Sequence, residues 1–176
     1  IQNRNLNEML NGNFKIDDFF VKGYCTDVLS SDIAAEFSNY DFTNCNNATH
    51  MQVLEQVQQR LDSIHLYLAD NYVSQIFTSY KLLNNGLWDG VDSGSSDWHN
   101  DQQSRGFNSN ILVYIDDNRV YNNYIMVTNG QEEFKIQPQS NQLVWLNQSR
   151  CFKHKAIHTS GPRRLLSFEF FVEDLT

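Results

Sequence analysis

The chain has 176 residues, of which 40% are hydrophobic and 13% aromatic; this predicts one domain over 1–176 with a substantial core. A formal net charge of −8, with no run of Lys or Arg, argues against a phosphate-backbone partner, so no nucleic acid is expected. No apolar run approaches the ~18–20 residues of a membrane span, and Cys25, Cys45 and Cys151 show neither a C-x-x-C spacing nor a disulfide framework. A soluble protein in a reducing, cytoplasmic setting is the expectation, with no membrane partner.

Residues 1–13 are polar and Asn-rich and read as a loose arm. Residues 14–20 suggest a short strand running into a turn, and 22–37 a helix with Val28, Ile33 and Phe37 as its apolar positions. A loop over 39–47 leads to the clearest helix, 51–70, capped by Asn47 or Thr49. Its apolar positions Val53, Leu54, Val57, Leu61, Ile64 and Leu68 form one stripe, with His65 beside it as a boundary histidine. Residues 72–83, rich in aromatic and β-branched side chains, predict a strand ended by Asn84-Asn85-Gly86. A Gly/Ser-rich loop over 90–96 then delivers the chain to Trp98-His99-Asn100-Asp101. Further strands are expected over 110–115, 121–128, 134–137, 142–146, 151–159 and 163–172, with a hairpin turn at Asn129-Gly130. Helices followed by many short strands predict a mainly β, α+β fold: helical support over 14–70 and a β-sandwich or barrel core over 71–176.

The chemistry begins at His99 and Asp101. Two residues apart on an extended segment, they point the same way. A further histidine from a distant strand would complete a 2-His-1-carboxylate face, a set that leaves positions of an octahedral ion open and suits non-haem Fe(II). His154 and His158 compete for that place; being four apart, they share a face of a strand, and parity does not choose between them. Arg163 and Arg164 follow the turn at Ser160-Gly161-Pro162, where a guanidinium could grip the far carboxylate of a diacid whose near end chelates the metal. His158 is only five residues from Arg163; His154 lies deeper and leaves room for such a co-substrate, so His154 is preferred. Arg163 and Arg164 are strand neighbours facing opposite sides, and only one can serve.

In this order, His99-x-Asp101, His154 and Arg163-Arg164-Leu165-Leu166-Ser167-Phe168 resemble the Fe(II)/2-oxoglutarate-dependent dioxygenases, in particular their prolyl-hydroxylase-like branch. There the distal histidine precedes the oxoglutarate-binding arginine by nine residues, the separation of His154 and Arg163, which favours Arg163 over Arg164. Gln142 to Leu146 is similar to the family's strand leading into that histidine. Ile111 to Asp116 resembles the strand whose tyrosine bonds the oxoglutarate carboxylate, matched by Tyr114; Ser167 falls where a small hydroxyl residue is common. One departure is Tyr121-Asn122-Asn123-Tyr124-Ile125, where the family usually carries a Gly-Gly pair.

The resemblance implies a double-stranded β-helix of jelly-roll or cupin-like form with helices packed on one sheet. It implies Fe(II) on His99, Asp101 and His154, 2-oxoglutarate as co-substrate on Arg163, Tyr114 and Ser167, and O2. The catalytic set would be His99, Asp101, His154 and Arg163. The implied reaction hydroxylates a peptidyl-proline-type, amino-acid or small-molecule substrate, releasing succinate and CO2. Asp101 favours hydroxylation, because the related halogenases carry a small residue there. Two alternatives stand beside it: a cupin-type metalloenzyme that does not use oxoglutarate, and a non-catalytic β-barrel binding module.

Overall fold

The computed structural model describes residues 14–29, 32–40, 42, 51–90 and 94–175, excluding the side chains of 51–54, 103 and 104. The arm expected over 1–13, the caps Asn47 and Thr49 and the apolar pair Val53 and Leu54 lie outside the described residues or side chains.

The chain runs α1 (Ile16–Val21), β1 (Tyr24–Val28), α2 (Ile33–Phe37), α3 (Met51–Leu68), a π-turn (Ala69–Val73), α4 (Ser74–Ile76) and β2 (Tyr80–Asp89). It continues through α5 (Gln102–Arg105), β3 (Ser109–Tyr114), β4 (Tyr124–Thr128), β5 (Glu133–Ile136), β6 (Gln142–Asn147), β7 (Lys153–Ile157) and β8 (Arg164–Val172). The strands form two antiparallel sheets, one in the order β1-β6-β3-β8-β2 and the other β5-β4-β7.

Alternation along the strands gives the larger sheet two different faces. Ile111, Val113, Leu143, Trp145, Leu166, Phe168 and Phe170 share one core with Val57, Leu61, Ile64 and Leu68 of α3. Each such side chain fully buried stabilises the fold by roughly 1.5–3 kcal/mol. Tyr114, Val144, Leu146 and Leu165 point the other way and join Ile125, Val127 and Ile136 of the smaller sheet in a second core. On β8 that inward row is Leu165, Ser167 and Glu169, preceded by Arg163, so polar groups enter the space between sheets at one side of the second core.

The expectations from residue 109 onward agree with the strands to within a few residues, whereas the amino-terminal half differs. The strand expected over 14–20 is instead mostly α1, Ile16–Val21: Asp17 and Asp18 occupy its first turn, where negative charge complements the helix dipole, and Phe19 is buried 4.7 Å from the Trp145 ring. The helix expected over 22–37 is instead β1 followed by α2. Gly23 breaks it at φ +89°, where a side chain would also strike Phe152, and Asp32 restarts helix by accepting from the Ala35 amide. Residues 72–76 continue the helical run, because Tyr72 and Val73 are buried by tertiary packing that outweighs their β propensity. The strand then runs through Asn84-Asn85-Gly86 with a register shift between Leu82 and Asn84, since those backbones pair with Glu169, Phe168 and Ser167. Among the described residues, no helix is long and apolar enough to cross a membrane.

Candidate metal centre and co-substrate cavity

His99 and His154 are brought together by their own backbones. The His99 amide donates to the His154 carbonyl at 3.0 Å and the His154 amide to the His99 carbonyl at 2.9 Å, an antiparallel bridge that joins the loop after residue 94 to β7. Their rings stand 4.2 Å apart. Asp101 reaches the same point differently from the sequence expectation: it is not extended but sits in the helical region (φ −75°, ψ −18°) at the start of α5. Its Oδ1 lies 3.7 Å from His99 Nε2 and its Oδ2 3.5 Å from His154 Nε2. One donor atom from each of the three lies within 4.8 Å of the others. Donors about 2.1 Å from one ion at right angles are roughly 3 Å apart, so small side-chain adjustments bring the three onto a metal.

The protonation states suit ligation. His99 Nδ1 is 2.7 Å from the Asp97 carbonyl, which can only accept, so the ring proton belongs on Nδ1 and the Nε2 lone pair faces Asp101. Burial first, then His99 and Arg163, push the His154 pKa down from 6.5 to about 3, so this imidazole stays neutral. A neutral His154, His99 with Nε2 turned toward Asp101, and the Asp101 side chain form a donor set that fits a divalent first-row ion with open positions.

Two supporting residues were given no role in the sequence analysis. Gln148 is buried; its amide nitrogen donates to Asp101 Oδ2 at 3.2 Å and to Asn110 Oδ1 at 3.0 Å, and its oxygen accepts from the Asp101 amide at 3.2 Å. The same nitrogen approaches His154 Nδ1 at 3.4 Å. Asn100 donates to the carbonyls of Gln148, Ser149 and Phe152 at 2.8–3.1 Å, stapling the His99-x-Asp101 loop onto the β6–β7 turn. Asn100 was legible in principle: the middle residue of such a triplet needs its own role. Gln148 was not, since nothing in its spacing connects it to Asp101.

A cavity of about 210 Å³ opens beside this centre, and His99, Asp101, Arg163 and Ser167 are among its lining residues. Arg163 is 6% exposed, and its Nε has no hydrogen-bond partner among the described residues. The Gly90 amide donates to the Arg163 carbonyl at 2.7 Å, and a Cβ at position 90 would collide with the guanidinium. Tyr114 is fully buried and its hydroxyl is also without a partner among the described residues; burial raises its pKa, while the nearby Arg163 pulls it down. Arg163 lowers it both by its charge and by close side-chain approach, yet no hydrogen bond of good geometry reaches the hydroxyl. Two unsatisfied buried donors side by side are costly unless a ligand answers them, and a carboxylate would. Tyr114 and His154 stand just outside the residues that line the cavity.

Arg164 faces elsewhere. It pairs with Asp116 (Nη2–Oδ1 2.8 Å, Nε–Oδ2 3.1 Å) and donates to the Ser38 carbonyl. His158 is half-buried, with Nε2 2.9 Å from the Gly161 carbonyl, and is not part of the cluster with His99 and Asp101.

With this geometry in place, known structures can be compared. HygX from Streptomyces hygroscopicus, solved with iron bound, superposes with a TM-score of 0.63 at 12% identity, covering 90% of this chain and 86% of that one. The non-haem α-ketoglutarate-dependent carbocyclase SnoK from nogalamycin biosynthesis gives 0.62 at 14% identity, over 90% and 83% of the two chains. A prolyl hydroxylase from Trichoplax adhaerens, in complex with a hypoxia-inducible-factor peptide fragment, gives 0.56 at 14%, over 92% and 89%. No family model matches the chain, and no curated protein matches its sequence. The fold is that of the Fe(II)/2-oxoglutarate oxygenases, prolyl hydroxylases among them.

Proposed function

We propose that the protein is an Fe(II)- and 2-oxoglutarate-dependent oxygenase, a single domain over 1–176 whose two sheets wind as a double-stranded β-helix. His99, Asp101 and His154 would hold the iron, which when bound supplies the site for activating O2. Arg163 and Tyr114 would take the far carboxylate of oxoglutarate, and Ser167 would lie against its chain. The balance for hydroxylation is one substrate C–H, one O2 and one oxoglutarate giving C–OH, succinate and CO2; each organic partner gives up two electrons to O2.

The observation that carries this reading is the pair of unsatisfied buried groups, Arg163 Nε and Tyr114 Oη, beside the cavity that His99 and Asp101 line. A cupin-type metalloenzyme without oxoglutarate would have no use for them, and neither would a barrel that only binds a partner. In the protein's own chemistry, Asp97 fixes the His99 tautomer, Gln148 orients Asp101, and burial keeps His154 neutral. The neighbours include a prolyl hydroxylase bound to a peptide fragment and a carbocyclase, so this fold serves more than one reaction.

The test is turnover in air with Fe(II) and oxoglutarate. Succinate should form, fall with Asp101→Ala, and fall with Arg163→Ala in a way that raised oxoglutarate concentration partly restores. No succinate from correctly folded, iron-loaded protein under any substrate tried would contradict the proposal.

A further inference from the structure

Beyond Ser167, the inward row of β8 ends on a charge that the oxoglutarate reading does not use. Glu169 is 8% exposed and lines the same cavity as His99 and Asp101. It lies six residues from Arg163, roughly 20 Å along an extended strand and more than twice the length of a five-carbon diacid. A co-substrate held by Arg163 therefore does not reach it. Across the sheet Glu169 stands opposite Asn110, and Asn110 shares the Gln148 amide with Asp101, so this end of the cavity adjoins the metal centre.

A cation faces it. Arg105, one turn after Asp101 on α5, has its Nη1 3.7 Å from Glu169 Oε1, and its guanidinium lies 5.1 Å from the Trp88 ring centre. Glu169 also accepts from the Asn84 side chain, but a carboxylate has about four acceptor sites and a closed guanidinium–carboxylate pair sits at about 2.7–2.9 Å, so both Glu169 and Arg105 keep binding capacity. Arg105 is about half exposed while Glu169 is nearly buried, and both line the cavity with Trp88.

We infer that the Glu169–Arg105 pair receives the head group of a free α-amino acid, with Glu169 taking the ammonium and Arg105 the carboxylate. This rests on the oxygenase reading and specifies its substrate class. An α-amino acid holds its ammonium nitrogen and carboxyl carbon roughly 2.5 Å apart, so its two charges can lie antiparallel against the two protein charges. A simple amine would satisfy Glu169 and leave Arg105 facing a cation; a simple acid would do the reverse. A residue inside a peptide carries neither charge and would desolvate both side chains without compensation. The zwitterion answers both.

The experiment uses the full chain loaded anaerobically with Fe(II) and oxoglutarate, whose visible chelate band is perturbed when substrate enters beside it. The probes are the twenty common L-amino acids, followed by the N-acetyl and carboxamide forms of any that respond. At least one free amino acid should shift the band and stimulate succinate release in air, and blocking either end should weaken its half-saturation by about tenfold or more. Glu169→Gln should selectively erase the preference over the N-acetyl form, and Arg105→Gln the preference over the amide. A structural ion pair would instead weaken free and blocked probes alike, and that result overturns the inference. So does a chelate band that no free amino acid perturbs. Failure of wild-type protein to form the band at all would sink the oxygenase reading, and this inference with it.

Discussion

Strand β8 borders two very different environments. Leu166, Phe168, Phe170 and Val172 face α3 and are fully buried in an all but continuous apolar core, whereas Arg163, Ser167 and Glu169 face the space between the sheets. One face is close-packed and its side chains are satisfied by contact alone. The other buries an arginine whose Nε lacks a partner among the described residues and a carboxylate held by Asn84 and, at 3.7 Å, by Arg105. Burial of charge is expensive unless it is answered, so the apolar face holds the fold and the polar face is where a ligand is called for.

The comparison is broken most severely on the apolar side. Phe168→Ala should cost about 3–5 kcal/mol of unfolding free energy, read as a large fall in urea midpoint, while Ser167→Ala on the opposite face should cost under about 1 kcal/mol. Equal losses would mean that the two faces are not distinct.

Next in size is the contrast between adjacent arginines. Arg163→Ala should weaken oxoglutarate binding to the metal-loaded protein by about 2–5 kcal/mol, roughly 30-fold or more by calorimetry. Arg164→Ala should leave oxoglutarate affinity within about twofold and lower stability by on the order of 1 kcal/mol, through loss of its Asp116 pair. A reversed pattern would assign the clamp to Arg164.

Gln148→Leu keeps the volume but removes the hydrogen bonds to Asp101. Metal affinity should drop about 10–100-fold, and the unfolding midpoint of metal-free protein should fall through a loss of roughly 1–3 kcal/mol, for the groups on Asn110 and Asp101 that lose Gln148 as partner; a metal titration and a thermal melt separate the two.

The smallest effect is on pH. His65, buried against Phe168 and Phe170, and His154 both have pKa values below the ordinary 6.5, chiefly through burial. Below about pH 6.5 the unfolded chain takes up protons that the native chain refuses, so this stability is complete above that pH and is lost as pH falls. The urea midpoint of metal-free protein should be lower at pH 5.5 than at 7.5, and His65→Phe should flatten the difference. A midpoint that rises on acidification would refute the sign.

How much of this was legible in the sequence follows the same division. The strands from 109 onward were readable because antiparallel strands between a core and a polar space alternate, and turns such as Asn129-Gly130 punctuate them. Residues 14–37 and 72–76 were misread because their conformations are set from outside: by Trp145 against Phe19, by Phe152 against Gly23, and by the core around Tyr72. At the centre, the spacing of His99, Asp101, His154 and Arg163 was visible, and the structure brings the first three together with Arg163 in the adjoining cavity. Gln148, Arg105 and Glu169 were invisible as site residues, since only folding makes them neighbours of Asp101.

The most direct measurement is the anaerobic visible spectrum of the Fe(II)-loaded protein titrated with oxoglutarate. The account predicts the weak charge-transfer band of the chelate, saturable in wild type, abolished in Asp101→Ala and shifted to much higher oxoglutarate in Arg163→Ala but not in Arg164→Ala. Absence of the band in folded wild-type protein that demonstrably holds Fe(II), or a band indifferent to Arg163, would contradict it.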